Sequence, residues 1–218
     1  MHLDVKILTV LLILWRVNMT RDNLFETVSY SHALQLLKEG NRRYVKGQPK
    51  SSATTPEIRA ALVAKQSPFA IIIGCSDSRV PPEIIFDQGA GQIFVVRTAG
   101  NTADAVTAGS VEYAAEHLHS PLVVVLGHDR CGAVAAAISG GDFGPNIGAI
   151  IAQIKPSVEK TNKADEENRL CLSEDENILN TISKLNESPV LKKLIAEGSL
   201  KIIGAKYSLA SGEVNFWE

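Results

Sequence analysis

Cysteine is scarce in this chain, and the few cysteines lie far apart. The 218 residues contain three of them, Cys75, Cys131 and Cys171. An odd number at such wide spacing is a poor disulfide framework, which excludes the small, disulfide-stapled class of secreted protein. A chain of this length can bury enough apolar surface to fold without covalent links. Cys171 stands in a polar stretch, and we predict a partly buried thiol with no special role.

A strong charge of either sign is also absent. Lysine and arginine total 22 against 24 aspartate and glutamate residues, which leaves a formal net charge of −2. Basic pairs such as Arg42-Arg43 are scattered rather than clustered, so no nucleic-acid partner is expected. Internal repeats and low-complexity tracts are missing too. The hydrophobic share of 45% and the charged share of 21% are typical of one soluble globular domain.

A hydrophobic run long enough to form a stable membrane span is also missing. The run at residues 7–15 falls short of the roughly 20 residues that a spanning helix needs. It is similar to the core of a signal peptide, but no A-x-A-like cleavage site follows it. Met19 opens a stretch typical of a cytosolic start, so we interpret residues 1–18 as an extension: a start assigned too early, an export signal or a hydrophobic arm. Residues 19–218 are expected to form one cytoplasmic domain, or an exported or membrane-associated one if the extension is a true signal.

Apolar runs bounded by turn residues alternate with segments of helical periodicity. The predicted strands cover residues 70–75, 93–97, 122–126 and 200–207, with residues 212–217 as an antiparallel edge strand. The predicted helices cover residues 31–46, 57–65, 105–118, 131–139, 147–158, 174–184 and 190–197, with a short one after Pro81-Pro82. This alternation predicts a single α/β domain in which a mainly parallel four-stranded sheet is flanked by helices.

Short polar signals set some of these boundaries. Ser31 can cap the first helix. Ser173 and Glu176 have the spacing of a capping box, which predicts a helix that starts at Glu174. The stretch 159–168 is highly polar, and we predict that it forms a mobile loop or a helix turn.

Two motifs follow buried strands and carry the chemistry of the chain. The first is Cys75-Ser-Asp-Ser-Arg79, and the second is Gly127-His-Asp-Arg-Cys131-Gly. Open α/β sheets place ligands at the carboxyl ends of their strands, so two thiols and an imidazole are expected to emerge there together. Cysteine and histidine donors suit zinc. Three protein donors leave a fourth position, for water or for the Asp77 carboxylate, which is the pattern of a catalytic zinc site.

Each piece of these motifs also has an ordinary structural interpretation. A cysteine at a strand end is usually a small core residue, and a histidine after a strand is usually held by a structural hydrogen bond. Asp77 and Arg79 alone could form a loop ion pair that contributes little if exposed. The metal-site hypothesis is favoured because all of these residue types follow two strands and precede a helix.

The same residues carry a resemblance to a known family. The motifs from Cys75 to Arg79 and from Gly127 to Cys131 resemble the two zinc signatures of the β-class carbonic anhydrases. The segment Arg97-Thr-Ala-Gly-Asn101 resembles the family's stretch between them, and the similarity runs over about residues 33–214. The resemblance implies one zinc ion per subunit and catalysis of the reversible hydration of carbon dioxide to bicarbonate. It also implies a homodimer or homotetramer, with an N-terminal helical arm that crosses onto a partner subunit.

The resemblance assigns roles to individual residues. It implies that Cys75, His128 and Cys131 hold zinc and that hydroxide on this ion attacks carbon dioxide. Asp77 and Arg79 are then the catalytic dyad: Arg79 holds the carboxylate away from zinc, and Asp77 accepts a hydrogen bond from the hydroxide. In a closed state Asp77 becomes the fourth zinc ligand.

Substrate and regulatory positions are also implied. Gln88 and Gly132 are the expected substrate contacts. Some family members bind bicarbonate in a second pocket lined by tryptophan, arginine and tyrosine, and the last two correspond to Arg97 and Tyr207. Ile72 stands where that tryptophan would be, so the resemblance does not extend to the whole pocket.

Two alternatives remain from the sequence. The same zinc site could hydrolyse a related linear electrophile, carbonyl sulfide or carbon disulfide. A zinc-stabilised scaffold subunit without activity is the other, although Asp77 and Arg79 would serve no purpose in it.

Overall fold

A five-stranded sheet forms the centre of the protein. The computed structural model describes residues 28–50 and 55–217; the predicted extension 1–18 lies outside them. The strands are β1 (Ala70–Cys75), β2 (Ile93–Thr98), β3 (Leu122–His128), β4 (Lys201–Tyr207) and β5 (Val214–Trp217). Their order is β2-β1-β3-β4-β5, with the first four parallel and β5 antiparallel to β4. The predicted α/β fold is therefore confirmed, including the antiparallel edge strand.

Helices cover both faces of this sheet. They are α1 (Tyr30–Val45), α2 (Pro56–Leu62), α3 (Pro82–Ile85), α4 (Ala105–Glu116), α5 (Gly132–Ser139), α6 (Gly144–Lys160), α7 (Glu166–Leu185) and α8 (Pro189–Ala196). A 3-10 turn, Ala99–Asn101, follows β2. Among the described residues, no helix is both long enough and apolar enough to cross a membrane.

The central strands β1 and β3 are buried on both sides, which explains their nearly continuous apolar sequences. Ile72 and Val124 point to one face, where they pack with Leu37 of α1. Ile71 and Val123 point to the other face, which α4, α7 and α8 cover. Each fully buried aliphatic side chain contributes about 1.5–3 kcal/mol relative to exposure. Because the buried side chains hold β1 and β3 in place, they also fix the positions of the last residues of these strands, Cys75 and His128.

The apolar stripe of α1 packs on the chain's own sheet. Ala33 and Leu37 are fully buried there against residues of β1 and β3. At these two residues the stripe is therefore used within the chain, and the arm that crosses onto a partner subunit stays a prediction. Ser29 rather than Ser31 caps the helix, because the Ser29 hydroxyl accepts the N–H of His32 at 3.2 Å.

The C-terminal helices differ from the prediction in their boundaries. The predicted loop or helix turn at 159–168 is shorter than expected and covers residues 161–165, since α6 runs to Lys160 and α7 already begins at Glu166. Asp165 caps α7 by accepting the N–H of Asn168 at 2.9 Å. Ser173 lies inside α7, fully buried, and its hydroxyl bonds that of Thr161 at 2.6 Å. The predicted helix start at Glu174 was wrong, because the Ser173 hydroxyl forms a buried hydrogen bond with Thr161 and does not cap a helix.

Helix α7 lies close to the sheet because two neighbouring strands carry glycine beneath it. A Cβ atom on Gly127 of β3 would lie 2.6 Å from the Ile178 side chain, and one on Gly204 of β4 would lie 2.9 Å from it. Both separations are shorter than real Cβ contacts. The two glycines therefore form a groove, the Gly127/Gly204 groove, which receives Ile178 and sets the separation between helix and sheet.

A second glycine contact gives a test of the packing between α1 and α3. A Cβ on Gly40 would lie 1.7 Å from the carbonyl oxygen of Phe86, which follows α3. We expect Gly40→Ala to lower the free energy of unfolding by roughly 1–3 kcal/mol or more, because α1 must move away from α3. The measurement is urea-induced unfolding followed by circular dichroism.

Gly109→Ala is the matched control. Gly109 also lies within a helix, α4, but a Cβ there meets no atom within 4 Å. This change is expected to be neutral or to stabilise by up to about 1 kcal/mol, since glycine is a poor helix residue. Equal unfolding midpoints for both variants would contradict the packing described here.

Candidate metal centre

Three metal-binding side chains meet at the carboxyl edge of the sheet. Cys75 ends β1, His128 ends the adjacent strand β3, and Cys131 precedes α5 as its N-cap residue. Their ligand atoms all lie within 4.8 Å of one another. Cys75 is 4% exposed, and His128 and Cys131 are each 1% exposed. The structure therefore brings together the three residues that the sequence singled out.

The imidazole of His128 is oriented as a metal ligand would be. Its Nδ1 lies 2.8 Å from the carbonyl oxygen of Asp129. A carbonyl can only accept, so Nδ1 carries the proton and Nε2 keeps a free lone pair. Nε2 is buried and has no hydrogen-bond partner in the part of the chain that the structure describes. A buried polar atom without a partner is costly, and a cation beside the two sulfurs would satisfy it.

The thiols of Cys75 and Cys131 are buried side by side, so the ionisation of one affects the pKa of the other. The hydrogen bond from the Cys131 thiol lowers the pKa of Cys75. The same contact raises the pKa of Cys131, with burial adding to the effect. Without a cation, then, only one of the two sulfurs ionises readily. Two sulfurs and one imidazole are the donor set that zinc prefers, and bound zinc would allow both to be thiolates.

The Asp77 carboxylate lies outside this group of three and is held by Arg79. Oδ1 accepts the backbone N–H of Arg79 and its Nε–H, both at 2.9 Å. Oδ2 accepts from Nη2 of Arg79 at 2.7 Å. These hydrogen bonds hold the pKa of Asp77 well below its usual range, so the carboxylate is ionised. Oδ2 takes only this one bond among the residues described, which leaves it free to accept another.

Arg97 braces the loop that carries these residues. Its Nε donates to the carbonyl oxygen of Cys75 at 2.9 Å, and its Nη2 donates to that of Asp77 at 2.6 Å. The resemblance suggested a bicarbonate contact for Arg97, and sequence reasoning missed this role in positioning the loop. Tyr207, the other residue of that pocket, bonds the hydroxyl of Tyr44 at 3.1 Å, and Ile72 is fully buried in the core.

Sequence reasoning also missed Glu174. This carboxylate is 3% exposed, and its Oε1 accepts the backbone N–H of Cys131 at 3.0 Å. Lys206 forms an ion pair with its Oε2 at 3.1 Å. The sequence distance of 43 residues between Glu174 and Cys131 hides this contact. The available signal was the spacing of Glu174, Asn177 and Thr181, which places three polar residues on one side of a helix.

The remaining predicted residues lie in different surroundings. Gly132 is the first residue of α5, beside Cys131, and a Cβ there would meet no atom within 4 Å. Gln88 donates to the carbonyl oxygen of Phe86 at 2.7 Å. It lines a separate cavity of about 440 Å³ that none of the five predicted metal and dyad residues lines. Cys171 is exposed, so the prediction of a partly buried thiol was wrong; its Sγ lies 3.3 Å from Nζ of Lys206.

Comparison with known proteins places the chain in a family. A family model described as carbonic anhydrase matches residues 70–214. Carbonic anhydrase 2 of Mycobacterium tuberculosis is 44% identical over 185 residues, which cover 83% of this chain and 89% of that protein. The carbonic anhydrase of Mycolicibacterium smegmatis is 43% identical over 187 residues, which cover 84% of this chain and 90% of that one.

Solved structures of similar fold are also β-carbonic anhydrases. A tetrameric β-carbonic anhydrase from Sordaria macrospora superposes with a TM-score of 0.69 at 26% identity, covering 85% of this chain and 96% of that one. The Coccomyxa β-carbonic anhydrase in complex with acetazolamide gives a TM-score of 0.68 at 25% identity, covering 84% and 85%. Fold and site thus define an α/β protein with a buried Cys-His-Cys donor set at its sheet edge. Within that class, the chain belongs to the β-class carbonic anhydrases, a family of enzymes.

Burial predicts how the three thiols react with Ellman's reagent. Cys171 is exposed, whereas Cys75 and Cys131 are buried. We expect one thiol per folded chain to react rapidly, and all three to react after denaturation in the presence of a chelator. Cys171→Ser is the control, and it should abolish the fast phase while leaving the other two thiols to react only on denaturation. Rapid modification of two or more thiols in the folded protein would contradict the burial of the site.

Proposed function

We propose that this protein catalyses the reversible hydration of carbon dioxide to bicarbonate and a proton, with one zinc ion held by Cys75, His128 and Cys131. The observation that carries this proposal is the buried set of three donors within 4.8 Å, one of them an imidazole nitrogen without a hydrogen-bond partner among the described residues. The curated relatives described above, named carbonic anhydrases, support it. When bound, zinc supplies a hydroxide nucleophile at neutral pH.

Asp77 orients the nucleophile in this proposal. Arg79 occupies both lone-pair directions of Oδ1 but only one of Oδ2. The remaining lone pair of Oδ2 accepts a hydrogen bond from the attacking hydroxyl group and so directs its oxygen toward the carbon of carbon dioxide. Arg79 keeps the carboxylate ionised and in place, and Arg97 holds the backbone of the same loop. The product proton passes to the solvent.

A closed state, in which Asp77 becomes a zinc ligand, stays a prediction. It requires the carboxylate to leave its three hydrogen bonds with Arg79. The substrate contacts assigned to Gln88 and Gly132 and the cytoplasmic location also stay predictions. For the assembly we propose a homodimer or homotetramer, which the tetrameric relative from Sordaria macrospora supports.

Hydrolysis of carbonyl sulfide or carbon disulfide uses the same kind of site. The relatives compared above are named carbonic anhydrases, which favours carbon dioxide as the substrate. Turnover of the three gases by one preparation, measured side by side, separates these functions.

The role of Asp77 is tested by Asp77→Ala. We expect the variant to keep one zinc ion per chain, because the three donors are intact, and to lose roughly 100-fold or more in kcat/KM for carbon dioxide hydration. Stopped-flow hydration assays and metal analysis by mass spectrometry measure the two quantities. Asp142→Ala removes an exposed carboxylate from a loop outside the site and should keep full activity. Full activity of Asp77→Ala would exclude the assigned role.

Removal of the metal is a separate test. Chelation of zinc should abolish hydration activity and lower the melting temperature, because the buried thiols and the imidazole lose their common partner. Free zinc at 100 times its dissociation constant is expected to restore about 2.7 kcal/mol of stability, and Mg²⁺ is expected to restore none. Differential scanning calorimetry with each ion makes the comparison. An enzyme that stays fully active without bound metal would contradict the proposal.

A further inference from the structure

The buried side of α7 carries three polar side chains, which we call the α7 polar stripe. Glu174, Asn177 and Thr181 are spaced three and four residues apart, so they lie on one face of the helix. All three are buried, with 3%, 1% and 1% exposure. Buried polar groups are retained where they have partners, because each unpaired one costs free energy. The partners of this stripe are the backbone of Cys131 and the 3-10 turn whose amide donates to Cys75.

Glu174 holds the backbone of Cys131. Its Oε1 accepts the N–H of Cys131 at 3.0 Å, and this amide belongs to the residue whose sulfur faces the metal centre. Lys206 pairs with the other carboxylate oxygen at 3.1 Å and also bonds Asp175 at 2.7 Å. The cation balances the buried carboxylate, so the hydrogen bond to Cys131 does not place an uncompensated charge beside the thiols.

Asn177 holds the turn that bonds the other thiol. Its Nδ2 donates to the carbonyl oxygen of Gly100 at 2.7 Å. The N–H of Gly100 in turn donates to Sγ of Cys75 at 3.3 Å. Thr181 donates to the carbonyl oxygen of Asn101, the residue after Gly100, at 3.1 Å. The 3-10 turn is therefore fixed to α7 at two successive carbonyls while its amide faces the sulfur.

Gly100 shows how closely this turn is packed. Its φ of 73° lies in the left-handed region that favours glycine. A Cβ there would lie 2.7 Å from Cδ1 of Ile154. Ile154 thus limits the movement of the turn on one side, and the hydrogen bond from Asn177 to the Gly100 carbonyl holds the turn from the side of α7.

We propose that Glu174 and Asn177 are positioning residues for the metal centre, which set the zinc affinity, and that Asn177 also sets the electron density on the Cys75 sulfur through the Gly100 amide. The inference rests on the proposed zinc site. Hydrogen bonds that orient metal ligands typically change metal affinity 10- to 100-fold when they are removed. An amide N–H directed at a thiolate also withdraws negative charge from the sulfur, which changes what the sulfur donates to the metal.

The test compares variants by their metal binding rather than by activity alone. Zn²⁺ affinity is measured by competition with a chromophoric chelator, and the Co²⁺-substituted protein reports the sulfur-to-metal charge-transfer absorption. Glu174→Ala and Asn177→Ala are expected to weaken Zn²⁺ binding about 10- to 100-fold and to shift the charge-transfer bands. Glu174→Gln is expected to keep the affinity within about 3-fold, because its amide oxygen can accept the same bond from Cys131.

Asn180→Ala is the matched control. Asn180 lies on the same helix, and its amide donates to the carbonyl oxygen of Gln153 on α6 at 3.0 Å rather than to Cys131 or the 3-10 turn. Its loss should leave Zn²⁺ affinity and the Co²⁺ spectrum as in the wild type. If Glu174→Ala does not fold, Asn177→Ala carries the test, since it leaves the buried ion pair with Lys206 intact.

The outcomes separate this inference from the proposed function. A lower melting temperature with unchanged Zn²⁺ affinity and an unchanged Co²⁺ spectrum would assign the α7 polar stripe to core packing and overturn the inference. The same changes in Asn180→Ala as in Asn177→Ala would overturn it as well. If the wild-type protein binds no Zn²⁺, the proposed function fails first, and the inference fails with it.

Discussion

The parallel pairing of β1 with β3 is the constraint on which the rest of the site depends. In their register Gly74 stands opposite Leu126, so Cys75 and His128 lie just past the last paired residues of two adjacent strands. A slip of one residue would turn every side chain of a strand to the other face of the sheet. Close packing on both faces of β1 and β3 opposes such a slip, because each side chain would then meet neighbours of a different size and shape. Core packing thereby fixes the position of two of the three donors.

The predictable part of this site is local in sequence. Cys75 and His128 follow apolar runs, and Cys131 precedes a segment of helical periodicity. The same patterns therefore predicted both the ends of the strands and the donor residues at those ends. Asp77 and Arg79 are only two residues apart, and the family resemblance implied their pairing. Contacts over long sequence distances could not be predicted: Glu174 reaches Cys131 across 43 residues, and Asn177 reaches Gly100 across 77. The spacing of polar residues along a helix does not indicate which loop its buried face will contact.

The same limit explains the wrong boundary of α7. Ser173 and Glu176 have the spacing that a helix start uses, but the chain is already helical from Glu166. Ser173 bonds Thr161, and Glu176 pairs with Lys160 at 2.9 Å, so both residues connect α7 to the end of α6. A polar residue in a helix can thus belong to a cap or to a buried contact, and only the fold distinguishes the two.

The Gly127/Gly204 groove links the shape of the sheet to the chemistry at its edge. Ile178 enters this groove, and it lies four residues from Glu174 and one from Asn177 on the same helix. The distance between α7 and the strands therefore decides whether its polar groups reach the backbone of Cys131 and the 3-10 turn. These two glycines thereby set the distance from α7 to the candidate metal centre, although neither of them supplies a donor atom to it. The geometry of the candidate site therefore depends on the separation between one helix and the sheet.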